Sequence, residues 1–127
     1  MPEKPAIAIT MGDPCGIGPE VVVKALSDQH VYATCRPIVI GNVSAMEAAV
    51  RSLHSTMTVV EPTDVSVAGS VSSSIDVVDI HNLNPEDITV GKISIPCGKA
   101  AMEWVTKAGE MALAGVVDGI ATAPLNK

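Results

Sequence analysis

Hydrophobic residues in this chain alternate between short continuous runs and longer helical repeats. Ala6–Thr10 is a short apolar run and predicts a strand buried on both faces. After a glycine-rich loop, residues 19–26 predict a helix, closed by polar Ser27, Asp28 and Gln29. Residues 31–34 fit no single period, and residues 37–40 predict a second buried strand ended by Gly41 and Asn42. Ser44 followed by Glu47 has the form of a capping box, and Ala45, Ala48, Ala49, Val50 and Leu53 carry that helix to His54. Residues 56–60 predict a third strand.

Residues 61–74 are rich in Ser, Val, Gly and Ala without a clear period, which predicts a surface connection. Residues 75–80 predict a strand, residues 81–87 a loop, and residues 90–95 an extended segment. The clearest helix covers residues 97–114: Ala101, Trp104, Val105, Ala108, Met111 and Ala112 form one face, and Lys99, Glu103, Lys107 and Glu110 the other. Gly115 is placed to end it as a left-handed cap. Residues 116–122 predict a last strand, which Pro124 terminates because it has no N–H for the ladder.

Strands alternating with helices predict an α/β fold of three layers, a parallel or mixed sheet with flanking helices. In such a sheet the loops after the strands share one edge, where ligands of open α/β folds bind. Gly12, Asp13, Gly16 and Gly18 lie in the loop after the first strand, just before Pro19 and Glu20 at a helix start. Bare backbone N–H groups at a helix N-terminus suit a phosphate or carboxylate. The alternative is a tight turn that only packs. The spacing matches neither the dinucleotide fingerprint nor the Walker loop. Asp13 is placed either to orient a ligand or to cap its own loop. Thr122, Asn126 and Lys127 bring a hydroxyl, an amide and an ammonium to the loop after the last strand, suited to an anionic small molecule or to an ordinary polar turn.

Composition narrows the class. With 47% hydrophobic residues in 127, the chain can build a core of its own, and with one Trp, one Tyr and no Phe that core is aliphatic. Eight basic against fourteen acidic residues give a formal charge of −6, with no basic cluster and few aromatics for stacking, so nucleic-acid binding is not expected. No run approaches the roughly 18–20 apolar residues of a membrane span, and residues 1–4 lack the apolar core of a signal peptide. The expectation is a soluble cytoplasmic protein. Cys15, Cys35 and Cys97 are far apart and odd in number, which predicts free thiols rather than a disulfide framework or zinc site. His30, His54 and His81 show no metal-ligand spacing.

The segment Ile9-Thr10-Met11-Gly12-Asp13-Pro14-Cys15-Gly16-Ile17-Gly18-Pro19-Glu20 resembles the N-terminal motif of the 4-hydroxythreonine-4-phosphate dehydrogenase family, which includes 4-phosphothreonate and phospho-erythronate dehydrogenases. Residues 98–127, ending Thr122-Ala123-Pro124-Leu125-Asn126-Lys127, resemble a second block of that family. The first motif is also similar to a loop of isopropylmalate and isocitrate dehydrogenases. The resemblance implies an isocitrate/isopropylmalate dehydrogenase-like fold, here incomplete, with residues 1–127 as one α/β region of a longer two-domain enzyme. It implies NAD-dependent, divalent-metal-assisted (Zn, Mg or Co) oxidation of a 4-phosphorylated threonine-type hydroxy acid, with possible decarboxylation, in pyridoxine biosynthesis. Gly12, Asp13, Gly16 and Gly18 would then face the cofactor, and Thr122, Asn126 and Lys127 the substrate. It also implies a homodimer, metal ligands beyond these residues, and little activity from this portion alone. Cys15 stands where many relatives carry a small residue. The alternatives are a phosphate acyltransferase of the same broad fold and a non-catalytic ligand-binding module.

Overall fold

The computed structural model describes residues 4–88, 91–92 and 94–124. Nine elements follow in order: β1 (Ala6–Thr10), α1 (Gly18–Leu26), α2 (Gln29–Thr34), β2 (Arg36–Ile40), α3 (Val43–Ser52), β3 (Thr58–Val60), β4 (Ser74–Val78), α4 (Ile95–Leu113) and β5 (Gly119–Thr122). Two single 3₁₀ turns, Val65–Val67 and Pro85–Asp87, lie in the connections. The strands form one parallel sheet in the order β3-β4-β2-β1-β5. The predicted α/β architecture is the observed one.

The chain winds outward from β1 through β2 towards β3 and β4, then returns on the other side of β1 to add β5. Right-handed crossovers in opposite directions put their helices on opposite faces. Accordingly α1 packs on α3, whereas α4 packs on β1, β5 and β2. The central strands are covered twice, so Ala8, Ile38, Val39 and Ile40 are fully buried, which is why their sequence reads as apolar runs rather than alternation. Trp104 and Met46 complete the core from the two helical layers. β5 is an edge strand, and three of its four residues are exposed. No helix of the described residues is long and apolar enough to cross a membrane.

Several local expectations change. The N-cap of α3 is Asn42, not Ser44: its side-chain oxygen accepts from the Ala45 N–H at 2.9 Å, and the Val43 N–H is taken by the Asp79 carboxylate at 3.0 Å. Two partners outside the helix therefore fix its start upstream of the Ser44–Glu47 pair. Ile95 is not extended but opens α4, with Ser94 as N-cap accepting from the Cys97 N–H at 3.4 Å. Pro96 lies in the first turn, where a missing N–H costs nothing. Gly91 and Lys92 lie in a turn, and positions 90 and 93 of the predicted extended segment lie outside the described residues. Residues 31–34 belong to α2, capped by Asp28.

Gly115 ends α4 as expected, with φ +78°. Its N–H reaches the Ala112 carbonyl at 3.1 Å and the Val116 N–H the Met111 carbonyl at 2.9 Å, the pair of bonds of a Schellman motif. β5 begins only at Gly119 because Asp118 is engaged in joining the strand starts. Its N–H donates to the Ala6 carbonyl at 2.7 Å, and its carboxylate accepts from the Ala6 N–H at 2.9 Å.

Candidate functional site

The strand order reverses at β1, so the crevice at the carboxyl ends of β1 and β5 is the topological switch point of the sheet. Three backbone bonds assemble it. The Met11 N–H donates to the Ile40 carbonyl at 3.0 Å, the Ala123 N–H to the Thr10 carbonyl at 3.0 Å, and the Asp13 N–H to the Pro124 carbonyl at 3.1 Å. The loops after β1 and β5 are thus one continuous surface.

Within the first loop, Asp13 holds its own turn. One of its carboxylate oxygens accepts from the Cys15 N–H at 2.9 Å, and its carbonyl accepts from the Gly16 N–H at 3.1 Å. The N–H groups of residues 13, 15 and 16 are therefore engaged inside the protein, and the loop does not offer them to an anion as the sequence suggested. Glu20, in the first turn of α1, already places negative charge at the positive end of that helix. Gly12 adopts φ +79°, and a Cβ there would collide with the Pro124 carbonyl oxygen; one on Gly18 would collide with the Met11 carbonyl oxygen. These two glycines let backbone pack on backbone. Gly16 is half-buried, and a Cβ there would sit in ordinary contact with the Asp13 side chain.

A cavity of about 270 Å³ opens at this point, lined by Asp13, Cys15, Gly16, Ile17, Gly91, Lys92 and Pro124. Asp13 is only 7% exposed, so its carboxylate forms a nearly dry wall. Lys92 brings an ammonium to the same cavity. Sequence reasoning missed Gly91 and Lys92, which carry no motif and lie more than seventy positions from the loop. What brings them in is the Gly91 N–H, which donates to the Cys15 carbonyl at 2.7 Å. An acceptor carboxylate and a cation in one recess suit a ligand that has both hydroxyl donors and an anionic group.

Thr122 closes β5 in register with Thr10 and is exposed beside the cavity rather than in its lining. Asn126 and Lys127 lie outside the described residues. The Thr10 hydroxyl is buried at the end of β1 and has no hydrogen-bond partner among the described residues. His81 lies beyond β4, its Nε2 3.1 Å from a Glu61 carboxylate oxygen. Among the described residues no three His, Cys, Asp or Glu side chains gather as metal ligands would. A cavity of about 260 Å³ at the opposite sheet edge has its cations tied to carbonyls. Lys4 donates to the Tyr32 carbonyl at 2.8 Å, and Arg36 to the Ser66 and Ala68 carbonyls at 2.9 and 3.0 Å.

The sequence expectation of three separate thiols changes in one respect. Cys15 and Cys97, both buried, bring their sulfurs to 2.7 Å, while Cys35 stands apart.

The family described as "Pyridoxal phosphate biosynthetic protein PdxA" matches residues 33–127. The chain belongs to the PdxA family. A PdxA relative, the 4-hydroxythreonine-4-phosphate dehydrogenase of Trichlorobacter lovleyi, is 39% identical over 125 residues, covering 98% of this chain and 37% of its own. A Clostridium botulinum protein provisionally named D-threonate 4-phosphate dehydrogenase is 37% identical over 124 residues, again covering 98% of this chain and 37% of the relative. The crystal structure of a 4-hydroxythreonine-4-phosphate dehydrogenase from Burkholderia phymatum superposes with a TM-score of 0.92 at 42% identity, over 99% of this chain and 38% of that one. This PdxA chain therefore spans somewhat over a third of the length of the relatives it matches.

Proposed function

We propose that this PdxA-family chain forms the glycine-loop wall of a dehydrogenase that oxidises a secondary alcohol in a phosphorylated, threonine-type hydroxy acid, with NAD as oxidant. The observation that carries the reading is the cavity at the switch point, where Asp13 and Lys92 face a common space in a chain whose relatives are named for that reaction. The relatives' names favour oxidation over acyl transfer.

The donor set fits a dinucleotide or its substrate in part. Asp13 can accept from a ribose or substrate hydroxyl with the carboxylate oxygen that does not cap Cys15. Lys92 can neutralise a phosphate or carboxylate. Gly16 and Pro124 offer walls without bulk for close approach. When bound, NAD supplies the hydride acceptor. The rest of the site, including the ligands of any divalent metal, is assigned to sequence beyond these residues, as are the remaining strands, a second domain and a partner subunit. Gly12 serves the cofactor indirectly by letting the two loops meet, and Gly18 by letting the first loop close on its own backbone.

The test is NADH formation by the protein extended to the length of its relatives, with 4-phosphohydroxythreonine and D-threonate 4-phosphate as substrates, before and after treatment with a chelator. NADH from either substrate that vanishes on chelation supports the reading. Absence of NADH with both substrates, in a folded and metal-loaded protein, rejects it.

A further inference from the structure

Cys15 sits in the loop after β1 and Cys97 in the first turn of α4, 82 positions further on, yet their sulfurs are 2.7 Å apart. Two unbonded sulfurs in ordinary contact stand well beyond that separation, whereas a disulfide closes at about 2.05 Å. The approach does not depend on the side chains alone. The Gly91 N–H bonds to the Cys15 carbonyl at 2.7 Å, and the Cys97 sulfur also reaches the Asp87 carbonyl at 3.4 Å. The segment entering α4 is thus held against the loop by a backbone bond that is independent of the sulfur pair.

Both residues are buried, Cys97 at 0% and Cys15 at 1% exposure, but Cys15 lines the 270 Å³ cavity and Cys97 does not. Burial, together with the contact with Cys15, raises the Cys97 thiol to about 11, so Cys97 stays protonated at neutral pH. Cys35 precedes β2 at the opposite edge of the sheet and bonds to its own helix at the Val31 carbonyl. With a five-residue strand between the edges, it is roughly 15 Å or more from the pair. A soft-metal site has no third ligand in place among the described residues.

We propose that Cys15 and Cys97 are an oxidant-responsive thiol pair, which a peroxide entering the cavity converts to an intramolecular disulfide that fastens the loop after β1 to the start of α4. The Cys15 sulfur attacks one peroxide oxygen as its thiol gives up the proton, the O–O bond breaks, the leaving hydroxide takes that proton as water, and Cys15 becomes a sulfenic acid. The Cys97 sulfur then attacks the Cys15 sulfur. The S–O bond breaks, and the departing hydroxide takes the Cys97 proton as water. Two thiols and hydrogen peroxide thereby yield one disulfide and two waters, the two sulfurs together supplying the electron pair. A dithiol reverses it by exchange. The bond fixes one wall of the candidate cavity, in a chain whose chemistry at neutral rest is that of free thiols. The proposal stands apart from the dehydrogenase reading, since none of its readouts needs turnover.

The experiment treats the chain with hydrogen peroxide, blocks remaining thiols by alkylation, and maps the digest by mass spectrometry without reductant. The expected result is one cross-linked pair of peptides containing positions 15 and 97, Cys35 still alkylated, and full reversal by dithiothreitol. The oxidised form should melt higher by on the order of 10 °C, because the bond closes a long loop in the unfolded chain. Cys35→Ser should leave the link unchanged. Cys97→Ser should trap Cys15 as a sulfenic acid that reacts with dimedone; should that variant fold poorly, the mapping of the unsubstituted chain decides alone. Alkylation of both Cys15 and Cys97 after peroxide, or pairing of either with Cys35, overturns the proposal.

Discussion

The Asp13 N–H donates to the Pro124 carbonyl at 3.1 Å, so the loop after the first strand is tied to the loop after the fifth. This bond crosses the point where the sheet changes direction, and Gly12 makes it possible. Gly12 has φ +79°, and the space a Cβ would need is filled by the same Pro124 carbonyl oxygen. Gly12→Ala therefore combines left-handed strain with a backbone collision. The expected cost is at least ~2 kcal/mol of unfolding free energy. Denaturant titration read by the fluorescence of Trp104 measures it, and a cost within ~0.5 kcal/mol of zero would show that the loops separate without penalty.

Much of this was legible beforehand, for a physical reason. β2 is buried on both faces and β1 is buried on one and half-buried on the other, and such strands print continuous apolar runs. Gly115 was legible because a left-handed cap needs a residue without Cβ. The N-cap of α3 misled, because Ser44 and Glu47 have the right spacing but Asn42 and Asp79 take the helix start through a contact from a distant strand end. The meeting of Cys15 with Cys97, and of Lys92 with Asp13, has no local pattern at all. It comes from α4 crossing the sheet on the face opposite α1, a consequence of the order of strands rather than of any motif. Glycine spacing likewise does not say which loop donors are engaged internally, as those of residues 13, 15 and 16 are.

Thr10 offers a second test. Its hydroxyl is buried with no partner among the described residues, which costs on the order of 1–3 kcal/mol. Thr10→Val keeps the shape and β-branching and removes the unmet group. The expectation is a variant as stable as the parent or more so, by up to ~1 kcal/mol, in thermal melts. A clear loss of stability would show that the hydroxyl is bonded through a water or a residue beyond those described.

Tyr32 makes stability fall at alkaline pH. Its hydroxyl donates to the Ser74 carbonyl at 2.9 Å, and burial, aided by the negative charge of Asp76, raises its pKa from 10.0 to about 12. The folded value lies above the unfolded one, so the contribution is complete below pH 10 and is lost as pH rises from there through about 12. It amounts to roughly 2 kcal/mol. As the chain has one Tyr, the phenolate absorbance reports this group directly. Tyr32→Phe should flatten the loss of stability across that window; an unchanged slope would assign the loss to other groups.

Asp13 can be separated into its two roles. Its oxygen that caps the Cys15 N–H at 2.9 Å is retained in Asp13→Asn, whereas the charge is not. Asp13→Asn should melt within ~1 kcal/mol of the parent, while Asp13→Ala should lose on the order of 1 kcal/mol or more through the uncapped turn. Ligand binding should sort the variants differently. A hydroxyl donating to a carboxylate is worth about 1.5–3 kcal/mol, so in the protein of full family length Asp13→Asn should weaken NAD or substrate binding by roughly 10-fold or more. Lys92→Ala should act on the anionic ligand alone, and its loss should shrink as salt is raised, because Lys92 is exposed. Calorimetric titration of each variant with NAD and with the phosphorylated substrate reads both effects. Parental affinity in Asp13→Asn for both ligands would leave Asp13 with only its loop to hold, and would move the ligand-facing carboxylate of this wall elsewhere.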